Sequence, residues 1–311
     1  MSVQCAPLSD GRWHFQHGPI DLVIGAQGLP EAVQLAHQAA WQRFGSLLEE
    51  LVSELPLLRQ AMPMSGPLPS ASANFIGTVA QRMWDACTPY RASFITPMAA
   101  VAGAVAEELI ACYQRPGIDR AWVNNGGDIA VHLTPGHSVR IGLFSDLGTV
   151  DKALEAGPDL RTDAQCTLGF DWPVRGIATS GWRGRSFSLG IADSVTILAA
   201  SAAQADAAAT VVANAVNLLH PGIVRRPACE VKDDSDLGSI PVTVDVPLLA
   251  VELVQQALAA GLAQAQVLQQ AGLLWSATLM CQGQCLQTPT LNTAAIGDHA
   301  AGFPQLGSVF A

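Results

Sequence analysis

The chain is organised around the stretch Arg175-Gly-Ile-Ala-Thr-Ser-Gly-Trp-Arg-Gly-Arg185 and the alanine-rich segment that follows it. Apolar runs on both sides are typical of strands, predicted over residues 174–178 and 195–198, and Thr179-Ser-Gly181 predicts a bend between them. Arg183 and Arg185 come just after this bend. Because arginine can hold a phosphate or carboxylate through two hydrogen bonds, the bend is a candidate site for an anionic ligand.

The alanine-rich segment predicts a helix with one polar face. Ser201-Ala-Ala-Gln204 has the pattern of a capping box, which fixes where the helix begins. Asp206, Thr210 and Asn214 follow at intervals of four residues, so they share one face of a helix that is otherwise almost entirely Ala and Val. The face is either solvated or a binding surface. Solvated faces usually carry Lys, Glu or Gln, whereas this one offers only oxygen ligands, which suit Mg²⁺.

A second polar segment, Asn124-Asn-Gly-Gly-Asp128, separates two predicted strands at residues 121–123 and 129–133. Gly and Asn tolerate positive φ, so the simpler interpretation is a hairpin turn. A two-residue hairpin would not need all five residues. Paired glycines between side-chain amides and a carboxylate also expose backbone N–H groups, as a nucleotide site requires. We therefore treat this segment as a candidate site.

The other elements follow from hydrophobic spacing and from turn and cap signals. They are a hairpin over residues 13–24, a helix over 32–58 closed by Pro56, a helix opening at Thr96-Pro97 and ending near residue 113, strands at 139–144, 168–174 and 242–246, and a helix over 248–268. The first turns after Pro97 contain almost only small residues, which indicates either tight packing or a site. The pattern mixes strands with helices and shows no confident boundary, so residues 1–311 are taken as a single domain.

Composition limits the function. The net charge is −10 with a pI near 5.0, which argues against binding to nucleic acid or to an anionic membrane surface and favours small molecules or proteins as partners. The N-terminal residues lack the pattern of a secretory signal, and the seven scattered cysteines do not resemble a disulfide framework, so we expect a cytoplasmic protein. The uncharged segment after Glu252 is interrupted by six glutamines, which predicts a helix outside the membrane.

Two other clusters are weaker indications of metal binding. Cys281-Gln-Gly-Gln-Cys285 has no second pair or nearby His, so reduced structural thiols are the simpler interpretation. Asp233, Asp234 and Asp236 lie close together, but the glycine and terminal Glu of a calcium-binding loop are out of place.

Three motifs carry a resemblance to a known group. Gly126-Gly-Asp-Ile129, Ala178-Thr-Ser-Gly181 and Ala205-Asp-Ala-Ala-Ala-Thr210 occur in the same order as Gly-Gly-Asp-Ile, Ala-Thr-Ser-Gly and Ala-Asp-Ala-Leu-Ala-Thr in the ApbE-type flavin transferases. Residues 94–248, with Thr96-Pro-Met-Ala-Ala-Val-Ala-Gly103 and Ser-Asp-Leu-Gly, resemble more closely still the uncharacterised bacterial and archaeal family regarded as ApbE-like.

The resemblance implies a T-fold-like α+β architecture with duplicated antiparallel sheets, packed helices and two intertwined halves. Relatives with a T-fold are often oligomeric, so it also implies a homo-oligomer. It further implies a flavin nucleotide, FAD- or FMN-like, bound with Mg²⁺. The implied nucleotide-binding residues are Asn124, Asn125, Gly126, Gly127, Asp128, Thr179, Ser180, Gly181, Arg183 and Arg185. The implied metal ligands are a backbone carbonyl near Ala99, the carboxylate of Asp206 and the hydroxyl of Thr210.

One departure from the family pattern bears on the reaction. The flavin transferases follow Ala-Thr-Ser-Gly with a His-Ile-Ile-Asp-Pro segment, whereas the corresponding residues here are Ser188-Leu-Gly-Ile-Ala-Asp-Ser194, without a His. A positioned base contributes roughly 10²–10⁴-fold to such a reaction, so covalent flavin transfer is not expected. The remaining interpretations are a transferase or diphosphate hydrolase, a non-catalytic binder of a heteroaromatic ligand, and an accessory subunit of a metabolic complex.

Overall fold

A computed structural model describes residues 2–67, 70–143, 164–184, 186–233, 235–289 and 308–310. Its strands, in chain order, are β1 Gln4–Pro7, β2 Trp13–His17, β3 Ile20–Gly28, β4 Ile118–Asn125, β5 Asp128–Leu133, β6 Ser138–Leu143, β7 Ala164–Gly169, β8 Gly176–Ser180, β9 Ser194–Ala199, β10 Val224–Pro227, β11 Pro241–Asp245, β12 Ser276–Cys281, β13 Gln284–Gln287 and β14 Ser308–Phe310. Its α-helices are α1 Pro30–Leu58, α2 Ala71–Asn74, α3 Thr78–Cys87, α4 Val101–Ile110, α5 Ala202–Ala215, α6 Ala228–Val231 and α7 Val251–Gln270.

The main sheet has the strand order β1-β2-β3-β4-β5-β8-β9-β12-β13 in the described part of the chain, and each neighbouring pair is antiparallel. One face of this sheet packs against α1, α4, α5 and α7. The prediction of an α+β fold with antiparallel sheets and packed helices is confirmed. The single domain and its two intertwined halves remain predictions.

The long helices follow the apolar spacing of the sequence closely. Helix α1 begins at Pro30, which is favoured at the first helical position, and buries Phe44, Leu47 and Leu51 against the sheet. The helix ends at Leu58 as predicted, two residues after Pro56. A proline so near the end removes only one hydrogen bond, which explains why it is tolerated. Helix α7 likewise matches the amphipathic helix predicted over residues 248–268.

The helix predicted from Thr96 to residue 113 is divided into three parts. A 3-10 helix, Pro97–Ala100, precedes α4, and a second 3-10 helix, Ala111–Tyr113, follows it. Ala100 has φ −125° and ψ 14°, which lie outside helical geometry and reset the direction of the chain before α4. This break matters because it turns the first N–H groups of α4 towards α5.

A small sheet with the order β14-β6-β7 accompanies a second hydrophobic cluster around Trp122, Val131 and Ile141. The strand predicted at residues 168–174 was placed wrongly, because β7 ends at Gly169. The reason is Arg175, whose guanidinium donates hydrogen bonds to the carbonyls of Phe170, Trp172 and Val174 and so holds this segment as a turn. Of the helices in the described ranges, none is both long and apolar enough to cross a membrane.

Candidate functional site

Two of the three sequence motifs meet at the start of α4. Asn125 Nδ2 donates to the carbonyl of Ala102 at 3.1 Å, which attaches the Gly-Gly turn to this helix. Asp206 Oδ2 accepts from the backbone N–H of Gly103 at 2.9 Å, which attaches α5 to the same turn of α4. Two predicted site residues from distant parts of the chain therefore bind adjacent residues of a third segment.

The small residues at the start of α4 are required by packing. A Cβ atom on Gly103 would lie 2.2 Å from the carbonyl oxygen of Ala202, and one on Gly176 would lie 2.1 Å from that of Ser201. The backbones of α4, α5 and β8 thus come into direct contact. Of the two explanations offered by the sequence, tight packing is observed here, and it is this packing that brings Asp206 to α4.

The segment Asn124-Asn-Gly-Gly-Asp128 is a two-residue hairpin, contrary to the argument that five residues would be too many for one. Gly126 and Gly127 have φ of 64° and 112°, and Asn125 pairs with Asp128 across β4 and β5. All five residues are nevertheless used. Asn124 Oδ1 accepts from the N–H of Gly127 at 2.8 Å, which leaves Asn125 and Asp128 to contact neighbouring elements.

The Thr-Ser-Gly motif lies beside this hairpin. The N–H of Thr179 donates to Asp128 Oδ1 at 3.2 Å, and the hydroxyls of Thr179 and Thr196 are 2.9 Å apart. Thr179 and Ser180 end β8 rather than forming the predicted bend, which begins at Gly181. A Cβ atom on Gly181 would lie 2.4 Å from the carbonyl oxygen of Asp193, so this glycine permits a close backbone contact.

Of the two arginines after the bend, the structure describes Arg183. The Arg183 guanidinium lies over the ring of Trp182, 4.7 Å from its centroid, and Trp182 Nε1 donates to Asp193 Oδ1 at 3.3 Å. Arg183 is therefore held by an aromatic face, which leaves its charge close to the motif. Arg185 lies outside the described residues.

The carboxylate of Asp206 is the most perturbed acid of this site. The residue retains some exposed surface, but the carboxylate lies between α4 and α5, and desolvation raises its pKa to about 7. Hydrogen bonds from the N–H groups of Gly103 and Ala102 oppose this shift only partly. Among the described residues, no lysine or arginine forms an ion pair with Asp206. A bound cation would therefore stabilise the charged form.

Sequence reasoning missed the buried neighbours of this carboxylate. Cys87 Sγ donates to the carbonyl of Thr96 at 3.4 Å, and burial together with the Asp206 charge raises the pKa of the Cys87 thiol. The hydroxyl of Thr96, which is itself buried, donates to Asp236 Oδ2 at 2.7 Å. This bond joins the Thr-Pro-Met and Ser-Asp-Leu-Gly motifs. The sequence signal was present, because both motifs belong to the resemblance, but no contact between them was predicted.

The predicted metal ligands lie on elements that pack together. Helix α5 contacts the 3-10 helix that contains Ala99, and Thr210 lies one turn after Asp206 on α5. Asn214, one turn further on, instead accepts hydrogen bonds from Ser188 Oγ at 3.1 Å and from the N–H of Leu189 at 2.8 Å. On the shared polar face, Asn214 therefore holds the neighbouring segment in place, and Asp206 and Thr210 remain the candidate ligands.

Two weaker metal candidates were considered from the sequence. Within the described ranges no group of three or more His, Cys, Asp or Glu side chains is arranged to hold a metal ion, and Asp234 lies outside those ranges. Cys281 is a buried thiol of β12, whereas Cys285 on β13 is exposed. A single carboxylate with hydroxyl and carbonyl oxygens still suits Mg²⁺, which completes its shell with water and phosphate oxygens.

Fold and site together define an antiparallel α+β protein with a lone carboxylate held between two small-residue helices. Residues 5–287 match the family model described as "AbpE bacteria", and the chain belongs to this family. The ApbE-like resemblance stated from the motifs is thereby confirmed.

Curated relatives include two archaeal UPF0280 proteins. The protein from Methanothrix thermoacetophila is 32% identical over 171 residues, covering 54% of this chain and 63% of the relative. That from Methanopyrus kandleri is 38% identical over 159 residues, covering 50% and 56%. The chain thus spans less than two thirds of the length of these relatives.

Two solved structures are similar at low sequence identity. The ApbE protein of Thermotoga maritima is 11% identical with a TM-score of 0.43, covering 92% of this chain and 97% of that one. The flavinyl transferase ApbE of Pseudomonas stutzeri, in its apo form, is 13% identical with a TM-score of 0.41, covering 93% and 94%.

Proposed function

We propose that this protein binds a flavin nucleotide, FAD- or FMN-like, together with Mg²⁺, and that with FAD it cleaves the diphosphate, water or another acceptor taking one phosphoryl group as AMP or FMN leaves. The observation that carries the proposal is the environment of Asp206. Its carboxylate lies between α4 and α5 with a pKa raised to about 7, and no basic side chain of the described residues pairs with it. A buried acid of this kind is stabilised by a metal ion.

The residues around Asp206 fit magnesium. Thr210 offers a hydroxyl from the next turn of α5, and the 3-10 helix that packs against α5 offers the carbonyl of Ala99. All three are hard oxygen donors, which favour Mg²⁺ over softer metals. When bound, the ion would neutralise phosphate charge as in other phosphoryl transfers.

The nucleotide would lie along the Gly-Gly turn and the end of β8. Asp128 holds the N–H of Thr179, so the two segments form one continuous edge that includes Ser180 and Gly181. Arg183 brings a positive charge to this edge from its position over Trp182. Together they supply backbone donors and a guanidinium for phosphate oxygens.

A non-catalytic binder is the second candidate, and the segment that replaces the family histidine favours it. In this segment Asp193 accepts hydrogen bonds from Trp182 Nε1 and from the N–H of Gln282, while Ser188 Oγ donates to Asn214. Both side chains are used in hydrogen bonds within the protein, so neither is placed to deprotonate the hydroxyl group that would accept the flavin. We therefore propose no covalent flavin transfer.

The test measures FAD binding and AMP release by the same protein. Thermal shift and calorimetry with FAD are compared with Mg²⁺ and with EDTA, for the wild type, Asp206→Asn and the matched control Asp245→Asn on exposed β11. At a hundredfold excess over Kd, binding stabilises by about 2.7 kcal/mol. We expect this gain to need Mg²⁺, to disappear in Asp206→Asn and to persist in Asp245→Asn.

The outcomes separate the two candidates. AMP released in the presence of Mg²⁺ supports the enzyme, and Mg²⁺-dependent binding without AMP supports the binder. Binding that EDTA and Asp206→Asn leave unchanged contradicts the metal site, and no binding of FAD or FMN contradicts the proposal as a whole.

A further inference from the structure

A cavity of about 670 Å³ opens under the N-terminal half of α1, away from the Asp206 site. It lies between this helix and strands β1, β2 and β3, at one edge of the main sheet. Strand β2 is four strands from β8, which at the usual spacing is about 19 Å. The cavity is therefore separate from the site described above, and the three motifs contribute no residue to its walls.

Aromatic rings form much of the wall. Trp13 and Phe15 project from β2, while His37 and Trp41 project from α1 one turn apart. The ring centroids of Trp13 and His37 are 5.5 Å apart, and those of Phe15 and Trp41 are 5.2 Å apart. These contacts fix the rings, so the cavity presents aromatic faces and edges without first reorganising its walls.

His37 supplies an oriented polar atom. Its Nδ1 lies 2.8 Å from the hydroxyl of Tyr113, a fully buried residue, which fixes the plane of the imidazole. Burial lowers the pKa of His37 to about 4, so the ring is neutral at physiological pH. Its Nε2 makes no hydrogen bond to any described residue, which leaves one neutral nitrogen for a ligand.

Among the residues that the structure describes, no Lys, Arg, Asp or Glu lines the cavity, although the chain has 16 basic and 26 acidic residues. Besides His37, the polar side chains of the wall are the amides of Gln27, Gln34 and Gln38, the indoles of Trp13 and Trp41 and the thiol of Cys5. The Gln27 oxygen already accepts from Arg120 Nε at 2.7 Å, so Gln34 and Gln38 are the amides offered to a ligand. A charged ligand would lose hydration here and gain no opposite charge, whereas a neutral ring with nitrogen or carbonyl groups would find partners.

We propose that this cavity is a second ligand site, and that it binds an uncharged, planar heteroaromatic ring system. Its volume lies within the range of roughly 300–1,000 Å³ that small-molecule sites occupy. The rings of Trp13 and Trp41 would stack on the ligand, and the fully buried Phe15 supports Trp41 from behind. The imidazole and amides would pair with its ring heteroatoms. The site does not depend on the proposed flavin chemistry.

The experiment uses quinazolin-4-one as the neutral bicyclic probe and quinoline-4-carboxylate as its charged counterpart. The protein is labelled with 5-fluorotryptophan, and variants with Trp13→Phe and Trp41→Phe identify those two fluorine resonances. We expect quinazolin-4-one to shift both resonances in a saturable manner. The carboxylate should bind at least tenfold more weakly, because its charge has no partner in the wall.

Three variants locate the binding. Ala26→Leu fills the cavity and should abolish the shifts, while Trp41→Leu removes one ring wall and should weaken binding about tenfold. Trp275→Leu, in the second hydrophobic cluster, is the matched control and should leave affinity unchanged. Circular dichroism and melting of each variant show that it is folded.

Several results would overturn the proposal. These are no saturable shift up to the solubility of quinazolin-4-one, equal affinity for the charged probe, or undiminished binding in folded Ala26→Leu. Because FAD and Mg²⁺ are absent from these titrations, the outcome is independent of the Asp206 site.

Discussion

The Asp206 site and the cavity under α1 lie on the same face of one sheet, but different kinds of residue form them. At the first, Gly103 and the alanines of α5 bring backbones into contact around a lone carboxylate. At the second, rings and amides surround an open space with a neutral imidazole. The same apolar layer thus raises the pKa of an acid in one place and lowers that of a base in the other. Tight packing at the first site buries an acid that pairs with no basic side chain of the described residues, whereas looser packing at the second leaves a cavity of about 670 Å³.

The largest expected effect tests how tightly the first region is packed. Gly103→Ala places a methyl group 2.2 Å from the carbonyl oxygen of Ala202, and neither backbone can move easily. We expect the free energy of unfolding to fall by about 3 kcal/mol, at the upper end for overpacking. Urea denaturation measures this change.

The control comes from the region beside the cavity. Gly45 lies inside α1, and a Cβ atom there would meet nothing within 4 Å. Gly45→Ala should therefore stabilise the protein by about 0.5–1 kcal/mol, because alanine is the better helix residue. If Gly103→Ala and Gly45→Ala changed the free energy of unfolding equally, the two regions would be packed alike and the contrast between tight and loose packing would be wrong.

The next prediction compares two residues of the polar face of α5, Asn214 and Thr210. Asn214→Ala leaves the N–H of Leu189 without its partner, which should cost about 1–3 kcal/mol while Mg²⁺-dependent FAD binding is retained. Thr210→Val should change stability by only about 0.5 kcal/mol but weaken Mg²⁺ binding about tenfold. Denaturation and calorimetry on both variants are the measurements. A loss of Mg²⁺ dependence in folded Asn214→Ala, but not in Thr210→Val, would reverse the assignment.

The pH dependence of stability should differ in sign between the two regions. The pKa of Asp206 is raised from 3.8 to about 7, so folding favours its protonated form and stability is lost as pH rises through this interval. The pKa of His37 is lowered from 6.5 to about 4, so folding favours its neutral form and stability is lost as pH falls through that interval. Each slope is at most about 1.4 kcal/mol per pH unit.

Unfolding free energies at pH 5 and pH 8 separate the two groups. Relative to the wild type, Asp206→Asn should gain stability at pH 8 over pH 5, and His37→Gln should gain at pH 5 over pH 8. Saturating Mg²⁺ should flatten the Asp206 contribution, because the ion favours the ionised carboxylate. The same sign for both variants would contradict the opposite shifts.

Much of the fold could be predicted from local pattern. The spacing of Phe44, Leu47 and Leu51 in α1, the hairpin signal at Gly18 and the capping residue Ser201 each act within a few residues, where the chain's own geometry decides. The helix after Pro97 and the strand near residue 170 were only partly correct. The helix begins only after Ala100, which lies outside helical geometry, and the strand ends at Gly169 because the Arg175 side chain holds residues 170–174 as a turn. Neither feature follows from the spacing of apolar residues.

For the site, the sequence by itself determined which motifs exist and what chemistry their oxygen and backbone groups can offer. Only the tertiary structure decided that Asn125 and Asp206 meet at Ala102 and Gly103, and that Asp236 reaches Thr96 across 140 positions of sequence. The cavity too was seen only in the tertiary structure, because Trp13 and Trp41 occupy positions in the sequence where core residues are expected. The reason is physical: spacing along a helix or strand fixes which side chains share a face, but packing of one element on another fixes which charges are buried and which faces stay open.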